Sequence, residues 1–266
     1  LVTLYPSGVL QQFPKLKAVF SLLAGVNHFV SDQNFPHPIP VVRLMDPHMA
    51  SDISQYVAAC VLNYVKRLDH WKAKQQQNAW FRHPPFSFAD RTIGLMGLGF
   101  LGRKSAETLQ ALDLNVIGWS QSRKNLTGIT SYAGQSEFND FLAHTDILIC
   151  MLPLTEQTQN ILNKNTFAHL RPGAYLINLG RGEHLVEEDV IPALDSGQLS
   201  GATLDVFREE PLPVAHPFWA HPHIFITPHI ASVTNPATAA LQVLQTIQQL
   251  QQGQTLSNTL DFAKGY

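Results

Sequence analysis

Thr92-Ile93-Gly94-Leu95-Met96-Gly97-Leu98-Gly99-Phe100-Leu101-Gly102 is an apolar run that breaks into glycines at the spacing G-x-G-x-x-G. Such a pattern reads as a strand turning into a helix around a dinucleotide pyrophosphate. Gly97 permits the tight turn, Gly99 lets backbone approach the phosphates, and Gly102 lets the helix pack closely on the strand. Phe100 and Leu101 open that helix, where free N–H groups and the positive dipole end face an anion.

The context supports the motif. Leu101, Ala106, Leu109 and Leu112 recur at helical spacing over residues 100–112, and Asn115-Val116-Ile117-Gly118-Trp119 follows as a second strand. Strand, turn, helix and strand fit within ~30 residues, as a mononucleotide-binding unit requires. The alternative is an ordinary glycine turn in another α/β protein.

The end of the second strand discriminates between cofactors. An NAD site usually places Asp or Glu there, ~20 residues beyond the glycines, on the ribose 2′-hydroxyl. This chain has Ser120-Gln121-Ser122-Arg123-Lys124. A carboxylate would repel a 2′-phosphate, whereas Ser120, Arg123 and Lys124 can hydrogen-bond and neutralise one. NADP(H) is therefore preferred, with NAD(H) still possible; the competing reading is a solvated basic turn.

The 266 residues are 45% hydrophobic and 14% charged, ordinary for a globular enzyme, and the formal net charge is −2. Neither nucleic acid nor an anionic membrane surface is an expected partner. No apolar stretch reaches the length of a membrane span and no signal sequence is visible, so a cytoplasmic location is expected. Cys60 and Cys150 read as core thiols, and the twelve histidines form no Cys/His cluster at metal-ligand spacing, so no metal is expected.

Strands are expected at residues 1–5, 16–22 and 41–44, and a helix from Ser51-Asp52 to about Trp71, with Ile53, Val57, Cys60, Val61, Tyr64 and Leu68 at helical spacing. Ala58, Ala59 and Leu62 widen its apolar band, which suggests burial on two sides and a homodimer partner. A polar stretch at residues 72–78 and the Pro84-Pro85 loop lead to the nucleotide unit. That unit continues through near-continuous apolar strands at 146–151 and 174–179, a helix at 187–195 closed by Gly197, and strands at 202–206 and 224–227. A last helix over 237–252 carries Leu241, Leu244, Ile247 and Leu250 on one face, its Gln-rich face reading as solvated surface. The expected domains are a substrate domain of residues 1–52 and 236–266 and a dinucleotide-binding domain of 53–235, with a cleft between them. The chain begins at Leu1 rather than Met, and its amino terminus reads as cut.

Three segments fall at strand ends, where such sheets bind ligands: Asn178-Leu179-Gly180-Arg181-Gly182, residues 204–211 from Leu204-Asp205 to Glu210-Pro211, and Ile226-Thr227-Pro228-His229-Ile230. They supply a guanidinium, a carboxylate and an imidazole. Reduction of a 2-keto acid needs a guanidinium to grip the carboxylate and polarise the ketone, and an acid to protonate the oxygen as hydride arrives. A carboxylate beside an imidazole orients it and favours its protonated form. Singly, Arg181 reads as a loop cation, Glu210 as a solvated turn residue and His229 as a helix-flanking or core histidine; the three together on successive strand ends point to catalysis.

Gly94-x-x-Gly97-x-Gly99-x-x-Gly102, Leu152-Pro153-Leu154-Thr155, Arg181-Gly182, Asp205-Val206-Phe207 through Glu210-Pro211, and Pro228-His229-Ile230 together resemble the D-2-hydroxyacid dehydrogenases over essentially the whole chain. The Trp119-Ser120-x-Ser122-Arg123-Lys124 turn, the Glu210-Pro211-Leu212-Pro213 run and the terminal Gly265-Tyr266 are similar to the branch that reduces glyoxylate and hydroxypyruvate with NADPH. The resemblance implies an α/β fold of two Rossmann-like lobes, in which a parallel, doubly wound cofactor domain is inserted in a flavodoxin-like substrate domain, truncated here at its amino end.

It also implies that Arg181 binds substrate, that Glu210 pairs with His229, and that His229 is the acid in reduction and the base in oxidation. Leu152, Pro153 and Asp205 would border the cofactor, Asp205 near the nicotinamide carboxamide. The backbone of Ala24 and Gly25, in Leu23-Ala24-Gly25-Val26, would bind the substrate carboxylate; a plain strand-ending turn is the alternative. Asn27 stands where the family more often has Asp, and Gly180 where Ala is commoner. The expected activity is NADPH-dependent reduction of a small 2-keto acid. The alternatives are an NAD-dependent dehydrogenase of another substrate and a nucleotide-sensing regulator with little turnover.

Overall fold

The structure is a computed structural model, and it describes residues 5–80 and 91–266. The strand expected at residues 1–5 lies outside these except for Tyr5, which is not in a strand, and the Pro84-Pro85 loop lies outside them entirely. In chain order come β1 (Val19–Ser21), α1 (Asn27–Val30), β2 (Val41–Arg43), α2 (Pro47–Lys66) and α3 (Leu68–Gln76). Next are β3 (Thr92–Met96), α4 (Phe100–Gln110), β4 (Asn115–Ser120), β5 (Thr130–Ala133), α5 (Phe138–Ala143) and β6 (Ile147–Cys150). The remainder holds α6 (Lys164–His169), β7 (Ala174–Asn178), α7 (Val190–Asp195), β8 (Leu199–Leu204), β9 (Ile224–Ile226) and α8 (Pro236–Gln251).

Two compact units divide the chain. One comprises Ala50–Leu152 and Gln159–Ser232; the other comprises Leu1–Met49, Pro153–Thr158 and Val233–Tyr266. The larger unit holds a seven-stranded sheet in the order β5-β4-β3-β6-β7-β8-β9, every pairing parallel. The chain leaves β3 toward one side and returns at β6 on the other, which makes the β3/β6 junction the topological switch point where such sheets take ligands. The α/β expectation is borne out.

Successive side chains of a strand point to opposite faces, so a sheet covered on both sides needs apolar residues at every position. Ile147 and Ile149 of β6 join Leu95, Ile177, Val57 and Val61 of α2, and Ala106 and Leu109 of α4 in one core. Leu148 and Cys150 join Met96, Trp119, Leu176, Phe141 and Phe218 in the core of the opposite face. Because every strand is parallel, the carboxyl ends of β3, β6, β7, β8 and β9 lie along one edge. That edge carries Gly97, Leu152, Arg181, Asp205 and His229 on its connections.

Some expected boundaries move. α2 begins at Pro47, four residues before Ser51, because Asp46 accepts the His48 N–H at 2.9 Å and so caps the helix. It does not run on to Trp71: Arg67 adopts φ 55 and breaks it from α3, which extends through most of the stretch expected to be a polar connection. The strand expected at residues 16–22 shortens to Val19–Ser21, and β8 starts at Leu199 rather than 202, directly after the Gly197 turn.

In the smaller unit β1 and β2 pair in parallel over a core of Leu10, Val19, Val26, Phe29, Phe35, Val41 and Leu260. α8 corrects the expected burial of its leucine face. Leu241, Leu244 and Ile247 are 61%, 56% and 43% exposed, whereas Ala239 and Thr246 are buried. Polar anchors set this rotation: the Gln242 side chain accepts from Met45 N–H at 3.0 Å, and Thr238 Oγ1 donates to Asp46.

Candidate active site

The glycine turn is built as its chemistry requires. Gly97 has φ 102, and a Cβ there would meet the Met151 carbonyl oxygen at 2.7 Å; at Gly102 a Cβ would lie 1.8 Å from the Gly97 carbonyl oxygen. Those two glycines are demanded by the protein's own backbone. Gly99 is different, because nothing lies within 4 Å of the position its Cβ would take. It caps α4 with no side-chain hydrogen bond and no acidic residue in the first turn. Among the described residues the Phe100 and Leu101 N–H groups donate to nothing. Open space in front of unpaired N–H groups at a helix start fits a pyrophosphate.

The turn after β4 is internally wired. Ser120 Oγ donates to the Ser122 carbonyl at 2.9 Å, and Lys124 Nζ donates to Ser122 Oγ at 2.9 Å. Arg123 donates through Nη1 to the Ser131 carbonyl and through Nη2 to Glu137. The second Glu137 oxygen accepts the Ala133 N–H at 2.7 Å. Sequence reasoning named Arg123 and Lys124 but missed Glu137, which lies fourteen residues beyond Arg123 in a separate short helix.

Arg181 follows the end of β7. Its Nη1 donates to the Gly180 carbonyl at 2.7 Å, its N–H donates to His184 Nδ1 at 2.9 Å, and its carbonyl accepts from the buried Asn178 at 3.1 Å. Burial pushes the guanidinium down from its ordinary value, while Glu183 and Glu210 pull it up. Among the described residues it forms no ion pair. A partly buried cation without an anionic neighbour in contact is costly unless an anion completes it.

His229 adopts φ 55 in the connection after β9. Its Nδ1 lies 2.7 Å from Glu210 Oε2, and Glu210 Oε1 accepts the Phe207 N–H at 2.9 Å, so the carboxylate is fixed at both oxygens. The imidazole presents Nε2 away from that pair and is 47% exposed, open to a reactant. The structure thus brings Glu210 and His229 together.

Asp205 lies beneath this connection, 1% exposed. Its carboxylate accepts from Thr227 Oγ1 at 2.5 Å and from the Ile230 and Ala231 N–H groups at 2.9 Å each, and its carbonyl accepts the His229 N–H at 2.8 Å. Tyr56 of α2 adds a hydroxyl contact to Thr227 at 2.5 Å. These bonds hold the backbone that carries His229. The Tyr56 and Thr227 contributions were not visible in the sequence.

Leu152 is buried at the carboxyl end of β6, and Pro153 falls in the smaller unit, its carbonyl accepting from Thr158 Oγ1 at 2.7 Å. Ala24 and Gly25 also belong to the smaller unit, in the turn after β1 that Ser21 braces through the Leu23 carbonyl at 3.0 Å. Among the described residues neither the Ala24 nor the Gly25 N–H donates a hydrogen bond. No group of His, Cys, Asp and Glu among the described residues could hold a metal ion.

A doubly wound parallel sheet with a glycine turn at its switch point, and with Arg181, Glu210 and His229 on neighbouring connections, defines a nucleotide-dependent oxidoreductase. The match of residues 58–231 to the D-isomer specific 2-hydroxyacid dehydrogenase NAD-binding domain makes this chain a member of that family. It is 44% identical over 266 residues to glyoxylate/hydroxypyruvate reductase A of Serratia proteamaculans, covering 98% of this chain and 85% of that protein. The reductase of the same name from Yersinia enterocolitica is 43% identical, with the same coverage.

Two solved structures extend the likeness. A D-isomer specific 2-hydroxyacid dehydrogenase from Xanthobacter autotrophicus Py2, in complex with NADPH and MES, matches with a TM-score of 0.94 and 38% identity over 98% of this chain and 82% of that one. An NADPH-dependent glyoxylate/hydroxypyruvate reductase from Sinorhizobium meliloti, in complex with NADP and sulfate, matches with a TM-score of 0.93 and 34% identity over 99% and 85%.

Proposed function

We propose that this protein reduces small 2-keto acids, with glyoxylate and hydroxypyruvate as the class, using NADPH in preference to NADH. The observation that carries the reading is the Glu210–His229 pair at 2.7 Å, which leaves one imidazole nitrogen to serve a reacting oxygen. The names of the relatives from Serratia and Yersinia and the NADP-bound structures support the same substrate class and cofactor.

In this reading Gly97, Gly99, Phe100, Leu101 and Gly102 hold the pyrophosphate, and Ser120, Arg123 and Lys124 take the 2′-phosphate. When bound, the reduced nicotinamide supplies a hydride. Arg181 binds the substrate carboxylate and polarises the ketone; the N–H groups of Ala24 and Gly25 are the smaller unit's own carboxylate donors. His229 donates its Nε2 proton to the ketone oxygen, and Glu210, bonded to Nδ1 at 2.7 Å, holds the imidazole in place. Asp205 acts through the His229 connection at the nicotinamide side, with Leu152 and Pro153 bordering the cofactor. The larger unit is the dinucleotide-binding domain and the smaller the substrate domain. A homodimer, in the cytoplasm, completes the proposal.

The test is Arg181→Gln. It is expected to raise KM for the keto acid and to lower kcat, each by about tenfold or more, since a charge-assisted bidentate grip is lost. An unchanged KM removes Arg181 from the carboxylate.

A further inference from the structure

The Arg123 side chain bears on more than its own charge. It stands on an exposed turn, 60% accessible, and a free arginine there would sample many rotamers. The structure holds it instead. Ser131, within edge strand β5, supplies a carbonyl to Nη1, and Glu137, in the short turn of helix after β5, supplies a carboxylate oxygen to Nη2. Glu137 is itself held, because its other oxygen accepts the Ala133 N–H at the end of β5. Ser131 Oγ accepts the Lys124 N–H at 3.0 Å, so the same strand fixes the backbone on the far side of Arg123.

An arginine has five N–H donors, and Ser131 and Glu137 engage two of them, which leaves three for an incoming anion. The charges of Arg123, Lys124 and Glu137 sum to one positive charge, so the turn still attracts a phosphate. We propose that Glu137 is a positioning residue for coenzyme selectivity: by clamping Arg123 against the end of β5 it presets the guanidinium for the 2′-phosphate of NADPH. The proposal rests on the reading that Arg123 takes that phosphate. Preordering a rotamer-rich side chain removes part of the entropy lost on binding, and the gain falls only on a ligand that touches the guanidinium.

The experiment is equilibrium binding of NADPH and of NADH, without keto acid, to the full chain and to Glu137→Ala, Glu137→Gln, Arg123→Ala and the double variant. Glu137→Ala should weaken NADPH roughly three- to tenfold and leave NADH unchanged. Glu137→Gln, whose amide oxygen can still accept one of the two bonds, should fall between, and it also serves if the alanine variant fails to fold. In the Arg123→Ala background the Glu137→Ala change should have no further effect on NADPH.

Equal weakening of both coenzymes would show a merely structural role, and tighter NADPH binding would make Glu137 a competitor of the phosphate. Either result overturns the proposal. If Arg123→Ala lowers the NADPH preference and neither Glu137 variant does, the clamp alone is wrong. If Arg123→Ala leaves the preference unchanged, the reading beneath the proposal fails with it.

Discussion

A histidine whose Nδ1 is held by a carboxylate exchanges protons with a reactant only through Nε2, and His229 is in that state. Replacing it by Gln keeps a polar side chain of similar reach but removes the acid. The expected outcome is a kcat lower by ~10²- to 10⁴-fold with NADPH affinity retained, measured by steady-state turnover alongside equilibrium binding; a loss under about threefold would take His229 out of proton transfer. The strand-end placement of Arg181, Glu210 and His229 was legible in the sequence because each follows an apolar strand at a place where a parallel sheet exposes its connections. Their supports were not. Tyr56 meets Thr227 across 171 residues, and Thr227 meets Asp205 across 22, and such pairs share no local pattern. Glu137 was hidden for the same reason, since a carboxylate on a polar turn looks like any solvated charge until its partner is known.

Among the elements, the β3–α4 turn separates two glycines that the backbone itself demands, Gly97 and Gly102, from Gly99, where a side chain would meet open space. Gly102→Ala drives a Cβ to within 1.8 Å of the Gly97 carbonyl oxygen, so α4 must shift from the sheet. Its expected cost is about 3 kcal/mol, typical of overpacking, read as a Tm lower by roughly 6–12 °C. Gly99→Ala meets open space and should leave Tm unchanged while weakening both NADPH and NADH. Parallel thermal melts and coenzyme titrations check the pair, and a destabilised Gly99→Ala with normal binding would contradict it. The strands of this unit were legible because a sheet covered on both faces leaves uninterrupted apolar runs, such as Ile147–Cys150. The α2–α3 break was not, because Arg67 takes the left-handed conformation without being Gly or Asn. The turned face of α8 was hidden too: leucines at helical spacing imply a buried stripe, but Gln242 and Thr238 fix the rotation through Met45 and Asp46.

At the scale of the whole molecule the two cysteines report on the integrity of the core. Burial pushes the Cys60 thiol up to about 11 and the Cys150 thiol up to about 12, from an ordinary 9.0. Both should resist a thiol reagent in the folded protein at neutral pH and react once it is unfolded in denaturant. Because the folded pKa values are raised, their contribution is intact below about pH 9 and is lost as pH climbs through the folded values, so stability should fall on the alkaline side. Reaction of either thiol in the native state would contradict the packing of α2 or β6. The α/β class could be read from the glycine turn and the alternating strand and helix patterns around it, which are properties of local sequence and not of distant contacts. The central claim, NADPH-dependent reduction of a small 2-keto acid, is tested most directly by following coenzyme oxidation with glyoxylate and with hydroxypyruvate, each with NADPH and with NADH. The account predicts rapid oxidation of NADPH with at least one of the two acids and much slower oxidation of NADH; equal rates with both coenzymes, or tight NADPH binding with no oxidation by either acid, would contradict it.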